Sequence, residues 1–124
     1  MPAVEVIFYQ HAPGKTPPLI EWLDALSPKA RVKCLARLKR LEDRGHELRR
    51  PEADFLRDGI RELRASYQGV HYRMLYFFHG TNIVVVTHGI VKEREVPAQE
   101  IERAVRAKSA FELNPDAHTF KPRG

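Results

Sequence analysis

Runs of alternating apolar and polar residues occur in this chain beside stretches in which apolar residues recur every three or four positions, so strands and helices are both expected. Val4 to Tyr9 is a β-branched and aromatic run and predicts a first strand. His11 to Pro18 is rich in proline and predicts a loop. Thr16 then stands where a helix cap would, ahead of an apolar stripe of Leu19, Ile20, Trp22, Leu23 and Leu26. Ser27-Pro28 repeats the cap-and-proline logic, with Val32, Leu35, Leu38 and Leu41 as the apolar face and Gly45 as the stop. Glu47 to Gly59 reads as a polar connection. Three strand-like runs follow, Arg61–Tyr67, His71–Phe78 and Asn82–Ile90, joined at Gln68-Gly69 and at the loop His79-Gly80-Thr81-Asn82. Pro97 to Phe111 predicts a last helix with Ile101, Ala104 and Val105 on one face, and residues 112–124 read as a tail that frays.

This order predicts an α+β fold. Short joints make the three late strands an antiparallel meander, with the first two helices packed on one face. Residues 1–111 form a single domain. Strand alternation gives a core of Leu63, Ala65, Tyr72, Met74, Tyr76, Phe78, Ile83 and Val85.

The opposite face holds an unexpected set. A two-residue turn at Gln68-Gly69 pairs Tyr67 with Val70, and so pairs Arg64 with Arg73. A four-residue loop in the next hairpin pairs Phe78 with Ile83 and puts Arg73 opposite His88. Like charges directly opposite each other cost up to about 1 kcal/mol. Three readings remain open, the first being that a loop of odd length shifts this register. The row could be solvated and screened by Glu62 or Glu95. It could also be a preformed phosphate seat, because forked guanidinium groups match phosphate oxygens and stay charged. His88 adds a group that exchanges protons near neutrality, though a lone strand histidine is more often structural. Lys92, Glu93, Arg94 and Glu95 follow at the mouth of the row, either as an ordinary charged loop or as phosphate contacts with a general base among them.

Composition narrows the partners. The net charge is +5 and the pI about 9.6, which favours an anionic partner without choosing one. Nine basic and three acidic residues lie between Lys29 and Arg50. Lys29, Lys33, Arg37, Arg40 and Arg44 share a helix side, which is either a solvated face or a track for nucleic-acid backbone. Cys34 is the one cysteine, so no internal disulfide forms, and its place in a helical pattern suits an apolar filler. There is no HExxH, Gly-rich phosphate loop or Gly-x-Ser-x-Gly elbow, and the histidines lack ligand spacing, so neither metal nor cofactor is expected. The N-terminal residues show no leader pattern and no apolar run is long enough for a membrane span, which points to a cytoplasmic protein without membrane partners.

LRDGIRELR (Leu56 to Arg64), YRMLYFF (Tyr72 to Phe78) and VVVTHGIVKEREVPAQEIERA (Val84 to Ala104) together resemble the RelE/HigB-type toxins of bacterial toxin–antitoxin pairs, and within them the HigB-like branch first noticed in phage-derived proteins. The resemblance implies a RelE-like fold of the microbial-ribonuclease type. It implies a metal-independent endoribonuclease that cuts mRNA on the ribosome by attack of the 2′-hydroxyl on the adjacent phosphate. It also implies a cognate antitoxin, often a helix-turn-helix protein, with operator DNA bound only through the toxin–antitoxin complex. On the matching motifs Arg64, Arg73 and Lys92 carry over as catalytic residues, with His88 and Arg94 as weaker matches. The run before Pro97 departs from the commoner pattern of lysines and threonines, and the C-terminal tyrosine that some relatives use against a base is missing, the tail offering only Phe120. Two other readings stay open: a ParE-like toxin acting on gyrase, and a basic RNA- or DNA-binding module without catalysis.

Overall fold

The computed structural model describes residues 2–92 and 94–122. The strands are β1 (Glu5–Tyr9), β2 (Ala53–Arg57), β3 (Ile60–Tyr67), β4 (Val70–His79), β5 (Ile83–Val91) and β6 (Thr119–Phe120). The helices are α1 (Pro18–Asp24), α2 (Pro28–Arg44), α3 (Ala98–Leu113) and α4 (Pro115–His118). One six-stranded sheet forms in the order β2-β3-β4-β5-β1-β6. It is antiparallel except where β1 runs parallel to β5.

Each face of the sheet carries its own core. On one face α1 and α2 cover Leu63, Ala65, Met74, Tyr76, Val84 and Val86. On the other, α3 covers Ile60, Leu75, Phe77 and Val85 through Ile101, Ala104 and Phe111. The arginine face is therefore apolar in its middle and opens to solvent only at its margins.

The β3–β4 hairpin has the expected two-residue turn. Gln68 and Gly69 both take positive φ, +50° and +79°, the geometry that suits a tight hairpin to strand twist. Tyr67 pairs with Val70 and Arg64 with Arg73.

The β4–β5 hairpin departs from expectation. His79 pairs with Ile83, leaving a three-residue loop, and a register shift follows between Leu75 and Tyr76, where Thr87 is the extra residue. A loop of odd length inverts the faces of the first half of β5, so Val84 and Val86, rather than Ile83 and Val85, join the first core. The bulge inverts them back. His88 therefore lies on the arginine face, but opposite Leu75; Arg73 faces Ile90 instead.

Other expectations are also corrected. Part of the polar connection, Ala53–Arg57, is edge strand β2. On α2 the buried stripe is Ala30, Cys34, Leu38 and Leu41, whereas Val32 is 62% and Leu35 45% exposed. Small residues at 30 and 34 let α2 lie close to the sheet. Ser27 caps α2, its Oγ accepting from the Ala30 N–H at 3.3 Å. Thr16 caps nothing: Pro17 occupies the cap position of α1 and makes no side-chain cap bond. The expected fraying tail carries the end of α3, then α4 and β6, which pairs with β1. Phe120 stacks on Phe8, with ring centroids 6.3 Å apart.

Candidate functional site

The register of three strands builds the first cleft. Successive rows on the α3 face read Asp54–Glu62–Leu75–His88, then Arg64–Arg73–Ile90. The backbone N–H of Lys92 bonds the carbonyl of His71 at 3.2 Å, which carries the ladder one step past β5. The arginine row thus sits one step inside the end of the sheet, at the margin that α3 leaves uncovered.

Glu62 settles why two arginines tolerate each other. Its Oε1 accepts from Arg73 Nη1 at 2.7 Å, and its Oε2 from Arg64 Nη2 at 3.2 Å. Asp54 Oδ2 accepts from the same Arg64 nitrogen at 3.3 Å and from Arg50 Nε at 2.8 Å. The result is an alternating chain, Arg50–Asp54–Arg64–Glu62–Arg73. The Glu62 bond raises the Arg64 pKa further, against the pull of burial. Of the two screening carboxylates open from sequence, Glu62 makes these contacts.

A cleft of about 480 Å³ opens beside this chain, lined by Arg37, Pro51, Glu52, Arg64, Ala65, Ser66, His71 and Arg73. Glu52 bonds both Arg37 and Arg40 from α2, and those bonds, that to Arg40 above all, hold its carboxyl below the ordinary range. Around the cleft, five guanidinium groups share three carboxylates, leaving a surplus of two positive charges. The Nε–H groups of Arg64 and Arg73 are buried and bond to no described acceptor. The cleft therefore offers oriented, permanently charged donors to an anion.

The other expected site residues scatter. Arg37 joins Arg64 and Arg73 in the cleft. Arg40 reaches its rim through Glu52, and Lys33 is exposed on the same helix. Lys92 is exposed at the end of the His71 row, and Arg94 is exposed on the loop before α3. Glu93 lies outside the described residues.

His88 is not in this cleft. It is 2% exposed and lines a separate cavity under α3. Its Nε2 lies 3.0 Å from Glu100 Oε1 and its Nδ1 2.9 Å from Thr87 Oγ1. Burial, reinforced by Arg103, pushes its pKa down to about 4, although Glu100 pulls the other way. Burial favours the neutral ring, with Nε2 turned to the Glu100 carboxylate and Nδ1 to the Thr87 hydroxyl, whose oxygen also lies 3.3 Å from the Leu75 carbonyl.

The histidine that does line the first cleft is His71, which is exposed. Sequence reasoning passed over it, yet the signal was present: His71 lies two residues before Arg73 and so on the same strand face. Gly89, next to His88, serves packing. A Cβ there would come within 2.2 Å of the Trp22 ring.

Among the described residues no three His, Cys, Asp or Glu side chains gather as a metal site, and no helix is long and apolar enough to cross a membrane. No curated protein matches the chain. The family model Phage derived protein Gp49-like (DUF891) matches residues 21–109, which run from within α1 through most of α3 and take in all of the first cleft. That family falls within the toxin-like RelE/HigB-type group, and the α+β fold with its mostly antiparallel sheet is consistent with it. The chain belongs to the phage-derived Gp49-like family, whose members are commonly toxin-like components of toxin–antitoxin systems.

Proposed function

We propose that this protein is the toxin of a toxin–antitoxin pair and a metal-independent endoribonuclease that cuts mRNA on the ribosome. The observation that carries the reading is the cross-strand pair Arg64–Arg73 on the floor of a cleft with a net surplus of positive charge. In 2′-hydroxyl attack, negative charge builds on the phosphoryl oxygens, and rigid cationic donors stabilise it most where they are already oriented. Glu62 and Asp54 supply that orientation from behind.

His71, not His88, is the imidazole placed to exchange a proton with a nucleotide in this cleft. Arg37 and Arg40 from α2, with Lys33 alongside, extend the charge along the incoming strand, as Lys92 and Arg94 do beyond His71. The partner implied by this reading is an antitoxin that silences the cleft until it is released, and operator DNA is met only through that complex.

Cleavage mapping during translation tests the proposal. Wild-type protein is expected to cut mRNA at ribosome-occupied positions, and Arg73→Ala to leave transcripts intact. Intact mRNA with the wild-type protein would sink the catalytic role. A second reading draws on the same ion network: because Glu62 already pairs both arginines, the cleft could bind RNA without cutting it. That reading expects RNA binding that weakens steeply with salt and no new 5′ ends. DNA breaks with intact transcripts would instead favour a ParE-like action on gyrase.

A further inference from the structure

A second cleft, of about 460 Å³, lies between α3 and the ends of β1 and β5. It shares no lining residue with the arginine cleft. Its polar lining is Tyr9, His11, Thr87, His88, Arg103 and Arg106. Ala107 and Ala110 continue the same side of α3, and their short side chains leave the room that the cleft occupies.

The floor is rigid. Thr87 and His88 are both 2% exposed, and both ring nitrogens of His88 are engaged. Tyr9 is buried beneath two further rings: His118 stacks on it at 5.2 Å and His11 meets it edge-on at 5.3 Å. The wall is cationic. Arg103 and Arg106 lie three residues apart and so project from one side of α3. Arg103 has a carboxylate only at 3.8 Å, Glu100, which is already bonded to His88. Arg106 has no ion pair among the described residues.

Two guanidinium groups with spare donors face a floor of neutral hydroxyl and imidazole groups, beside exposed His11. We infer that this cleft is a binding site for the phosphate group of a nucleotide, with Arg103 and Arg106 as its charged donors and His11 as a face for the base. Phosphate is the anion that two forks can straddle, and a flanking aromatic ring suits a nucleotide. The phosphate can belong to a free nucleotide or to an RNA strand. Only β5 separates β1 from β4, so the strands that anchor the two clefts lie about 10 Å apart, within reach of one RNA strand. That second source rests on the nuclease reading; the site itself does not.

The test compares Arg103→Gln/Arg106→Gln with a charge-matched control on exposed lysines outside both clefts, Lys39→Gln/Lys121→Gln, after melting curves show that both are folded. The probes are adenosine 5′-monophosphate and a 2′-O-methyl RNA hexamer, which cannot undergo 2′-hydroxyl attack. Adenosine monophosphate is expected to shift the amide resonances of Thr87, His88 and Arg106 in the wild type. Its affinity should fall about tenfold or more in the α3 variant, and less than about twofold in the control. An equal loss for the hexamer assigns the phosphate to RNA; a loss for the mononucleotide alone assigns it to a free nucleotide. Unmoved Thr87 and His88 resonances, or equal losses in both variants, would overturn the site. An inactive nuclease would not change this result, since Arg64 and Arg73 lie outside this cleft.

Discussion

Arg73 Nη1 donates a 2.7 Å hydrogen bond to Glu62 Oε1 across β3 and β4, between side chains only 12% and 4% exposed. The bond makes Glu62 the residue on which both arginines depend. Glu62→Gln keeps the shape and removes the charge, leaving two guanidinium groups against a neutral amide. The expected cost is about 3 kcal/mol of unfolding free energy, somewhat under that of a fully buried broken pair because Arg64 is partly exposed. Urea titration measures it. A loss below about 1 kcal/mol, the worth of a surface pair, would show that the chain of ion pairs does not hold this end of the sheet.

Arg73→Lys separates charge from geometry. Lysine keeps the positive charge and loses the fork that reaches Glu62 and, in the proposed chemistry, the phosphate. The variant should fold and bind RNA, while ribosome-dependent cleavage falls about 100-fold, the scale seen when one transition-state donor is removed. Single-turnover cleavage in a translation extract reads this out. Wild-type rates in Arg73→Lys would mean that charge alone suffices.

His88 gives the fold a pH dependence of defined sign. Its pKa is depressed to about 4 from 6.5. Above pH 6.5 native and unfolded chains both carry it neutral, and its contribution to stability is complete. As pH falls through the unfolded value, the unfolded chain takes up a proton that the native one refuses, so stability drops until about pH 4. The loss is on the order of 3 kcal/mol. His88→Gln should lack this part of the slope. Unfolding midpoints of the two proteins, measured from pH 7 to 4, should converge as the pH is lowered; parallel curves would show that the ring titrates normally.

Gly89→Ala should be among the most damaging small substitutions. The added methyl would sit 2.2 Å from Trp22, and Trp22 is held by α1 against Tyr72, ring to ring at 6.2 Å. Relieving the clash means shifting α1, at a cost of about 3 kcal/mol. Tryptophan fluorescence and the melting temperature together report it. A variant that melts like the wild type would mean that α1 yields freely.

What could be read beforehand was local. The turn at Gln68-Gly69 set the β3–β4 register from two residues, and with it the Arg64–Arg73 pair. Ser27 and Gly45 marked the ends of α2 for the same reason, since caps act over a few residues. The failures needed tertiary information. The three-residue loop and the bulge at Thr87 each shifted β5 by one residue and together displaced His88 from Arg73, and nothing in Val84–Gly89 announces an extra residue. β2 was hidden because an edge strand carries charged residues such as Asp54 and Arg57. Val32 and Leu35 look like core until Ala30 and Cys34 take the close approach to the sheet. The Glu62 contacts lay in plain view among the open readings; only the side-chain geometry chose Glu62 over Glu95.

The place of β1 has a consequence for how the molecule comes into being. Its two neighbours, β5 and β6, begin at Ile83 and Thr119. During synthesis the first strand made must wait for a neighbour made much later, because parallel pairing to β5 closes a loop of more than seventy residues. The β3–β4 hairpin can form long before then from neighbouring residues. The cationic pair is thus assembled early, on a sheet that is completed only when Phe120 has left the ribosome and stacked on Phe8.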